Sequence, residues 1–147
     1  MIGVAADNQR KRTSLKFPGA ANNTDLAPLM RTSEIYLNRA EALAELNGIN
    51  AEPLTLVNGI RARAGLSAWT ATTFTTKATF ITAILEERRK ELYFEGHRRM
   101  DLLRKGLPLR ITGPTASLAV FGGPKTVLPL PQREIDLNKG LVQNLSY

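Results

Sequence analysis

Apolar residues return every three or four positions from about Leu29 to Leu46, where Ile35, Leu37, Ala40, Leu43, Ala44 and Leu46 supply one side. That period predicts an amphipathic helix, and Asn47-Gly48 supplies its stop. Asn50 then offers an N-cap, with Glu52 in the first turn and Pro53 still within the positions that lack an intrahelical donor. A second helix follows to about Ala64, with Leu54, Val57, Ile60 and Ala64 on one side and Gly65 closing it. So short a connection predicts an antiparallel helical hairpin. Leu66 to Thr76 reads as a Thr-rich loop carrying the only tryptophan, Trp69. Thr76 is placed to cap a third helix from about Lys77 to Glu95, and Gly96 predicts a break before a shorter helix over His97 to Lys105. Tyr36 and Phe80 fall on core-facing positions, and the adjacent Tyr93 and Phe94 cannot both do so; at least one points away from the core stripe, toward the tail.

The third helix carries a charge where an apolar residue belongs. Ile81, Ile84, Leu85, Leu92 and Leu103 fall roughly along one face, and Arg88 lies in the same stripe. A charge on a core-facing stripe is costly unless it is paired. Acids and bases alternate around it at helical spacing, so an intrahelical ladder of Glu87, Arg88, Glu91, Glu95, Arg98, Asp101 and Arg104 is expected. Its expected role is framework rather than chemistry.

The ends are less regular. Residues 1–28 read as an irregular lead-in, with Pro18-Gly19 and Asn22-Asn23 as breakers and a possible short strand at Thr13–Phe17. Beyond the helical body at 29–106, residues 107–147 are rich in proline and glycine. They show no helical period except a turn near Gln132–Asp136, with a short strand expected around Thr126–Leu130. A tail this long without regular structure is uncommon in a compact domain, so it is expected to wrap the helical body. The fold class is mainly α, in a single domain.

Composition removes several function classes. Hydrophobic residues make up 43% of the 147, enough for a globular core. With no cysteine, the chain as written offers no disulfide, thiolate chemistry, cysteine-built metal site or lipid anchor. No apolar run approaches the roughly 20 residues that span a bilayer, and Met1 to Asp7 is too short for a signal peptide. A net charge of +7 invites a nucleic-acid reading, but most basic residues are interleaved with acids on helices, and no nucleic-acid motif accompanies them. No nucleic-acid partner is expected.

Two candidate chemistries are weighed against plainer readings. Glu87, Glu91 and Glu95 stand one helical turn apart, a spacing that could bring two carboxylates to the separation of about 5–5.5 Å that retaining glycosidases use. Each has a basic neighbour nearby, however, and pairing lowers a carboxyl pKa where a general acid needs a raised one. His97 is the only histidine, and Glu95-Gly96-His97 lacks the Glu-x-x-His spacing of di-iron bundles. No Gly-x-Ser-x-Gly elbow or phosphate-cradling loop occurs, and Gly122-Gly123-Pro124 reads as a turn. No catalytic residue, metal or cofactor is expected. Trp69 is a candidate sugar-stacking face, but the favoured reading folds it back over the hairpin.

Four motifs follow one another: R-T-S-E-I-Y-L-N-R-A-E-A at Arg31–Ala42, V-N-G-I-R-A-R-A-G-L at Val57–Leu66, E-R-R-K-E-L-Y-F-E-G-H-R-R-M-D-L-L-R-K-G at Glu87–Gly106, and the Pro-x-Pro ending from Leu128 to Tyr147. In this order they resemble the C-terminal region of SusD/RagB-like proteins. The sequence departs from that pattern at Leu145-Ser146, where the family usually has Pro-Gly. The resemblance implies an outer-membrane, cell-surface lipoprotein that binds glycans without catalysis, on tetratricopeptide-like hairpins, beside a TonB-dependent, SusC-like transporter. It also implies that the lipid-bearing cysteine and most glycan-stacking aromatics lie upstream, so that this chain is a C-terminal fragment with apolar surface free for self-association. The alternative from another class is a free-standing helical-repeat module for protein interaction.

Overall fold

The computed structural model describes residues 2–4, 12–14, 24, 29–113, 116–144 and 147. The breakers at Pro18-Gly19 and Asn22-Asn23, the end of the expected first strand and the Leu145-Ser146 departure lie outside the described residues. The chain forms two compact units, Met1–Gly96 and His97–Tyr147.

The first unit opens with two short strands, β1 (Ile2–Val4) and β2 (Arg12–Ser14), paired antiparallel with Ile2 opposite Ser14 and Val4 opposite Arg12. Three helices follow: α1 (Thr32–Asn47), α2 (Ala51–Arg63) and α3 (Lys77–Glu91). α1 packs against both others, so the hairpin and the third helix share one core. Leu37, Ala40 and Ala44 of α1, Leu54, Val57 and Ile60 of α2, and Phe80, Ile81, Ile84 and Leu85 of α3 fill it at helical spacing.

Three expected core positions on α1 are instead on the surface. Ile35 and Leu46 are 49% and 79% exposed, and Tyr36 is also exposed. Two residues on a helix are turned by about 200°, so Ile35 cannot share a face with Leu37, nor Leu46 with Ala44. The buried stripe is Leu37-Ala40-Glu41-Ala44. Ala64, placed on the core side of α2 by its spacing, is the residue that ends the helix and is exposed.

The caps fall where the sequence puts them. Asn50 Oδ1 accepts from the Glu52 N–H at 3.1 Å, and Thr76 forms a reciprocal capping box with Thr79. Asn50→Ala removes this side-chain acceptor from the helix start, and urea unfolding is expected to show a loss of about 1 kcal/mol.

α3 ends four residues before the expected Glu95. Leu92 N–H makes the closing bond to Arg88 O at 2.8 Å, and the chain then turns through Phe94 at φ 62° and Gly96 at φ 81°. Glycine enters the left-handed region freely, whereas phenylalanine does so at a cost. The break expected at Gly96 is therefore a whole turn, Leu92–Gly96. Tyr93 and Phe94 are both exposed there, their ring centroids 4.2 Å apart.

The second unit begins with α4 (His97–Arg104), one residue shorter than expected and followed by Gly106 at φ 66°. Single 3-10 turns at Ala116–Leu118 and Pro124–Thr126 precede α5 (Gln132–Leu137), which lies at the turn expected near Gln132. The strand expected around Thr126–Leu130 does not form. Pro129 and Pro131 lack the N–H groups that a ladder requires. Side chains from the chain's last residues bond this backbone instead. Gln143 accepts from Leu130 N–H at 2.9 Å and donates to Leu130 O at 3.0 Å, Asn144 donates to Leu128 O, and the Tyr147 hydroxyl donates to Val127 O.

Candidate functional site

A dense cluster of polar side chains sits at the C-terminal end of α3, and its hub is Arg31, just ahead of α1. Arg31 Nε donates to both carboxylate oxygens of Glu95 at 3.0 Å, and its two terminal nitrogens bond the Glu91 carboxylate, the Glu91 carbonyl and Ser33 Oγ. One guanidinium thus binds two acids and closes an orphan carbonyl where the helix dipole is negative. Arg63, ending α2, donates to both carboxylate oxygens of Glu91 at 2.5 and 2.6 Å.

One turn back along α3, Glu87 accepts from Arg61 at 2.7 Å, with Lys90 3.6 Å away. Arg88, only 4% exposed, donates to Asn38 of α1 at 2.6 Å. Glu41, buried one turn along α1 from Asn38, lines the same face.

Only part of the ladder expected within the helices takes that form. Asp101 and Arg104 pair three residues apart in the second unit, at 2.8 Å, with Asp101 buried. Glu86–Arg89 and Glu87–Lys90 do the same on α3. Glu87, Glu91 and Glu95 are held mainly by arginines from 26 to 64 residues away. Arg98 is exposed on α4. The sequence reading missed Arg31, Arg61, Arg63 and Asn38 as partners, because local spacing carries no signal for tertiary pairs. The one available hint was an unmatched Arg61/Arg63 pair on a helix with a single acid.

The electrostatics are those of fixed charges. Burial pushes the Glu91 carboxyl upward, but hydrogen bonds from Arg31, Arg63 and Ser33, with the Arg31 charge, outweigh it and hold Glu91 below its ordinary value. A depressed folded-state pKa stabilises the fold above the unfolded carboxyl value of about 4.3, and that stabilisation fades as pH falls through the folded value. The urea midpoint should therefore hold from pH 7 to about 5 and drop below about 4, and Glu91→Gln should flatten that drop. A carboxylate held ionised in this way is a poor proton donor, whereas a glycosidase's general acid must be protonated to act.

Trp69 is half-buried against the core. Asn58 pins its backbone in both directions, donating to Trp69 O at 2.8 Å and accepting from Trp69 N–H at 2.7 Å. Its edge-on contact with Phe74 has centroids 5.0 Å apart, and the Arg61 guanidinium stands 4.5 Å over its ring. One indole face is therefore occupied by a cation that also holds Glu87. His97 is half-buried at the start of α4, and among the described residues no three His, Cys, Asp or Glu side chains gather as metal ligands would. No helix among them is long and apolar enough to cross a membrane.

Comparison with known proteins gives a consistent picture. The sequence model of the SusD family matches residues 8–147. "SusD-like protein P25" of Formosa agariphila is 32% identical over 135 residues, covering 84% of this chain and 24% of that protein. "Starch-binding protein SusD" of Bacteroides thetaiotaomicron is 29% identical over 133 residues, covering 85% of this chain and 22% of the relative. Among solved structures, a putative sugar binding protein from Bacteroides vulgatus superposes with a TM-score of 0.59 at 32% identity, covering 82% of this chain and 28% of the other. A SusD homolog from Bacteroides thetaiotaomicron gives 0.56 at 28% identity, covering 81% and 26%. The chain spans about a quarter of the length of these curated relatives.

Proposed function

Because the chain belongs to the SusD family, we propose that it forms part of a carbohydrate-binding protein that captures glycans without catalysis. In this reading the protein acts at the outer-membrane surface beside a TonB-dependent, SusC-like transporter. Glu87, Arg88, Glu91, Glu95, Arg98, Asp101 and Arg104 serve as framework and take no part in proton transfer. The single observation that supports this most directly is the pairing of Glu91 with Arg31 and Arg63, which keeps the best-placed acid ionised. Trp69 remains in this proposal a candidate sugar contact through whatever part of its ring stays open.

The test is affinity electrophoresis of the chain through gels containing soluble polysaccharides, with a reducing-end assay on the same mixtures. Retardation by at least one polysaccharide, without new reducing ends, is the expected result. No retardation on any gel would sink the binding claim, and released reducing ends would sink the non-catalytic one.

One observation favours a second reading, a helical-repeat module for protein interaction. Leu29, Met30, Ile35 and Leu46 are exposed apolar residues on or just before α1. Such surface marks contact sites in repeat proteins. A chain that sediments as a monomer and ignores all glycans would remove both readings.

A further inference from the structure

The charge of this chain is not spread evenly. Residues 29–96 hold eight Lys or Arg and eight Asp or Glu, a complete balance. Residues 97–147, the second compact unit, hold eight Lys or Arg against three Asp or Glu. That unit therefore has five more cations than anions, however its side chains pair, and the first unit has no acidic surplus to offset them. The balanced segment holds Glu87, Arg88, Glu91 and Glu95 with the arginines that pair with them, while the surplus lies in the second unit, where Asp101 pairs with Arg104.

The surplus is on the surface. Arg98, Arg104, Arg110, Arg133 and Lys139 are exposed. Arg98, Arg104 and Lys105 lie on α4 or in the turn that closes it, within about 10 Å along the axis at 1.5 Å per residue. Over that distance exposed charges are only partly screened at physiological salt, where the screening length is about 8 Å, so their potentials still add in part. Asp101 is the one acid within α4, and it pairs with Arg104.

Aromatic rings are interleaved with these cations. Phe121, 60% exposed, lies against Gly106, directly after Arg104-Lys105. Four residues on, Lys125 Nζ stands 3.4 Å over the ring of Tyr147, which is also exposed. A ring beside a cation offers an apolar face for sugar CH groups and a charge for an acidic substituent. Nucleic acid is the less fitting occupant, because no groove-reading helix or stacking series accompanies the charge.

We propose that the second unit is a contact surface for acidic polysaccharide, a glycan carrying sulfate or carboxylate groups. This rests on the glycan-capture reading and names its ligand class. The cations meet the acidic groups as exposed, salt-sensitive pairs, and Phe121 and Tyr147 meet the sugar rings.

The experiment compares dextran with dextran sulfate, one backbone with and without charge, and adds polygalacturonate, using the full chain and isothermal titration. The surface variant is Arg98→Gln/Lys105→Gln/Arg110→Gln. An independent second variant is Arg133→Gln/Lys139→Gln, and the control removes the same charge as the first from the balanced segment, Arg39→Gln/Lys77→Gln/Lys90→Gln. Circular dichroism confirms that each is folded. Dextran sulfate and polygalacturonate should bind about tenfold or more tighter than dextran, and raising salt should erase most of the difference. The surface triple variant should lose about tenfold on the acidic glycans, the control less than about twofold.

Equal losses in the surface and control variants would overturn the proposal, since net charge alone would then explain binding. So would equal affinity for dextran and dextran sulfate, an outcome that leaves glycan capture standing. Failure to bind any of the three overturns this proposal, and glycan capture falls with it only if every polysaccharide gel also shows no retardation. Single-stranded DNA or phosphatidylglycerol vesicles competing as well as polygalacturonate would reassign the surface to nucleic acid or to a membrane.

Discussion

Arg31→Ala is expected to lower the unfolding free energy by about 2–4 kcal/mol in urea titration at pH 7. The Arg31 side chain is about one quarter exposed, while the Glu91 and Glu95 side chains are 12% and 3% exposed. Removing it takes one cation from two carboxylates held largely away from water, and breaking a buried pair from one side typically costs about 3–5 kcal/mol. Glu91 keeps Arg63, so the expected figure is set below that range. Burial pulls the Arg31 pKa down, but its hydrogen bonds to Glu95 and Glu91 outweigh that and raise it above the ordinary value. The charge is therefore fixed throughout the working pH range, and its loss is not masked by titration.

Arg31→Lys separates charge from geometry. An ammonium is a point charge and cannot reach both acids and the Glu91 carbonyl in one plane. It is expected to recover less than half of the loss. A full recovery would mean that only net charge matters at this junction, and a loss below about 1 kcal/mol for Arg31→Ala would mean that solvent screens the whole cluster.

The helices and their caps were readable in the sequence because those signals are local. Asn50 and Thr76 announce their helices within four residues, and the Leu54-Val57-Ile60 period names the buried side of α2 without reference to any other element. Arg88 was also legible, since a charge in an apolar stripe implies a buried partner. That Asn38 is one of its partners was not. Asn38 is 50 residues away, and Arg31 is 60 from Glu91, so a rule built on three- and four-residue spacing assigned these charges to helical neighbours.

Errors on α1 have a different origin. Ile35, Tyr36 and Leu46 were placed in the core by polarity, although their angular positions set them off the Leu37-Ala40-Ala44 stripe. The C-terminal segment failed for a third reason. Thr126–Leu130 has the composition of a strand, but Pro129 interrupts its donors, and the side chains that bond its backbone instead come from Gln143, Asn144 and Tyr147, where no strand pattern exists. Local patterns specify an element's type. They do not specify which distant group will satisfy it.

Phe80→Ala is expected to cost about 3–5 kcal/mol, the usual range for emptying a buried aromatic site. Phe80 is fully buried and lies among the α1, α2 and α3 side chains that form the first unit's core. It also anchors a row of rings, with Phe74 4.9 Å away and Trp69 a further 5.0 Å along. The void left by alanine should loosen Phe74 and, through it, the indole. Trp69 is the only tryptophan, so its fluorescence reports on this row without further labelling. The variant's native-state emission should shift to longer wavelength as the ring gains water, in step with a lower urea midpoint. Phe80→Leu, which refills most of the volume but restores no ring, should recover over half of the stability while leaving the Trp69–Phe74 contact less ordered. An unshifted emission in a clearly destabilised Phe80→Ala chain would mean that Asn58 and Arg61 alone hold Trp69 in place. The loop carrying it would then be independent of the core beneath, and Trp69 would be a stronger candidate for sugar contact than its packing suggests.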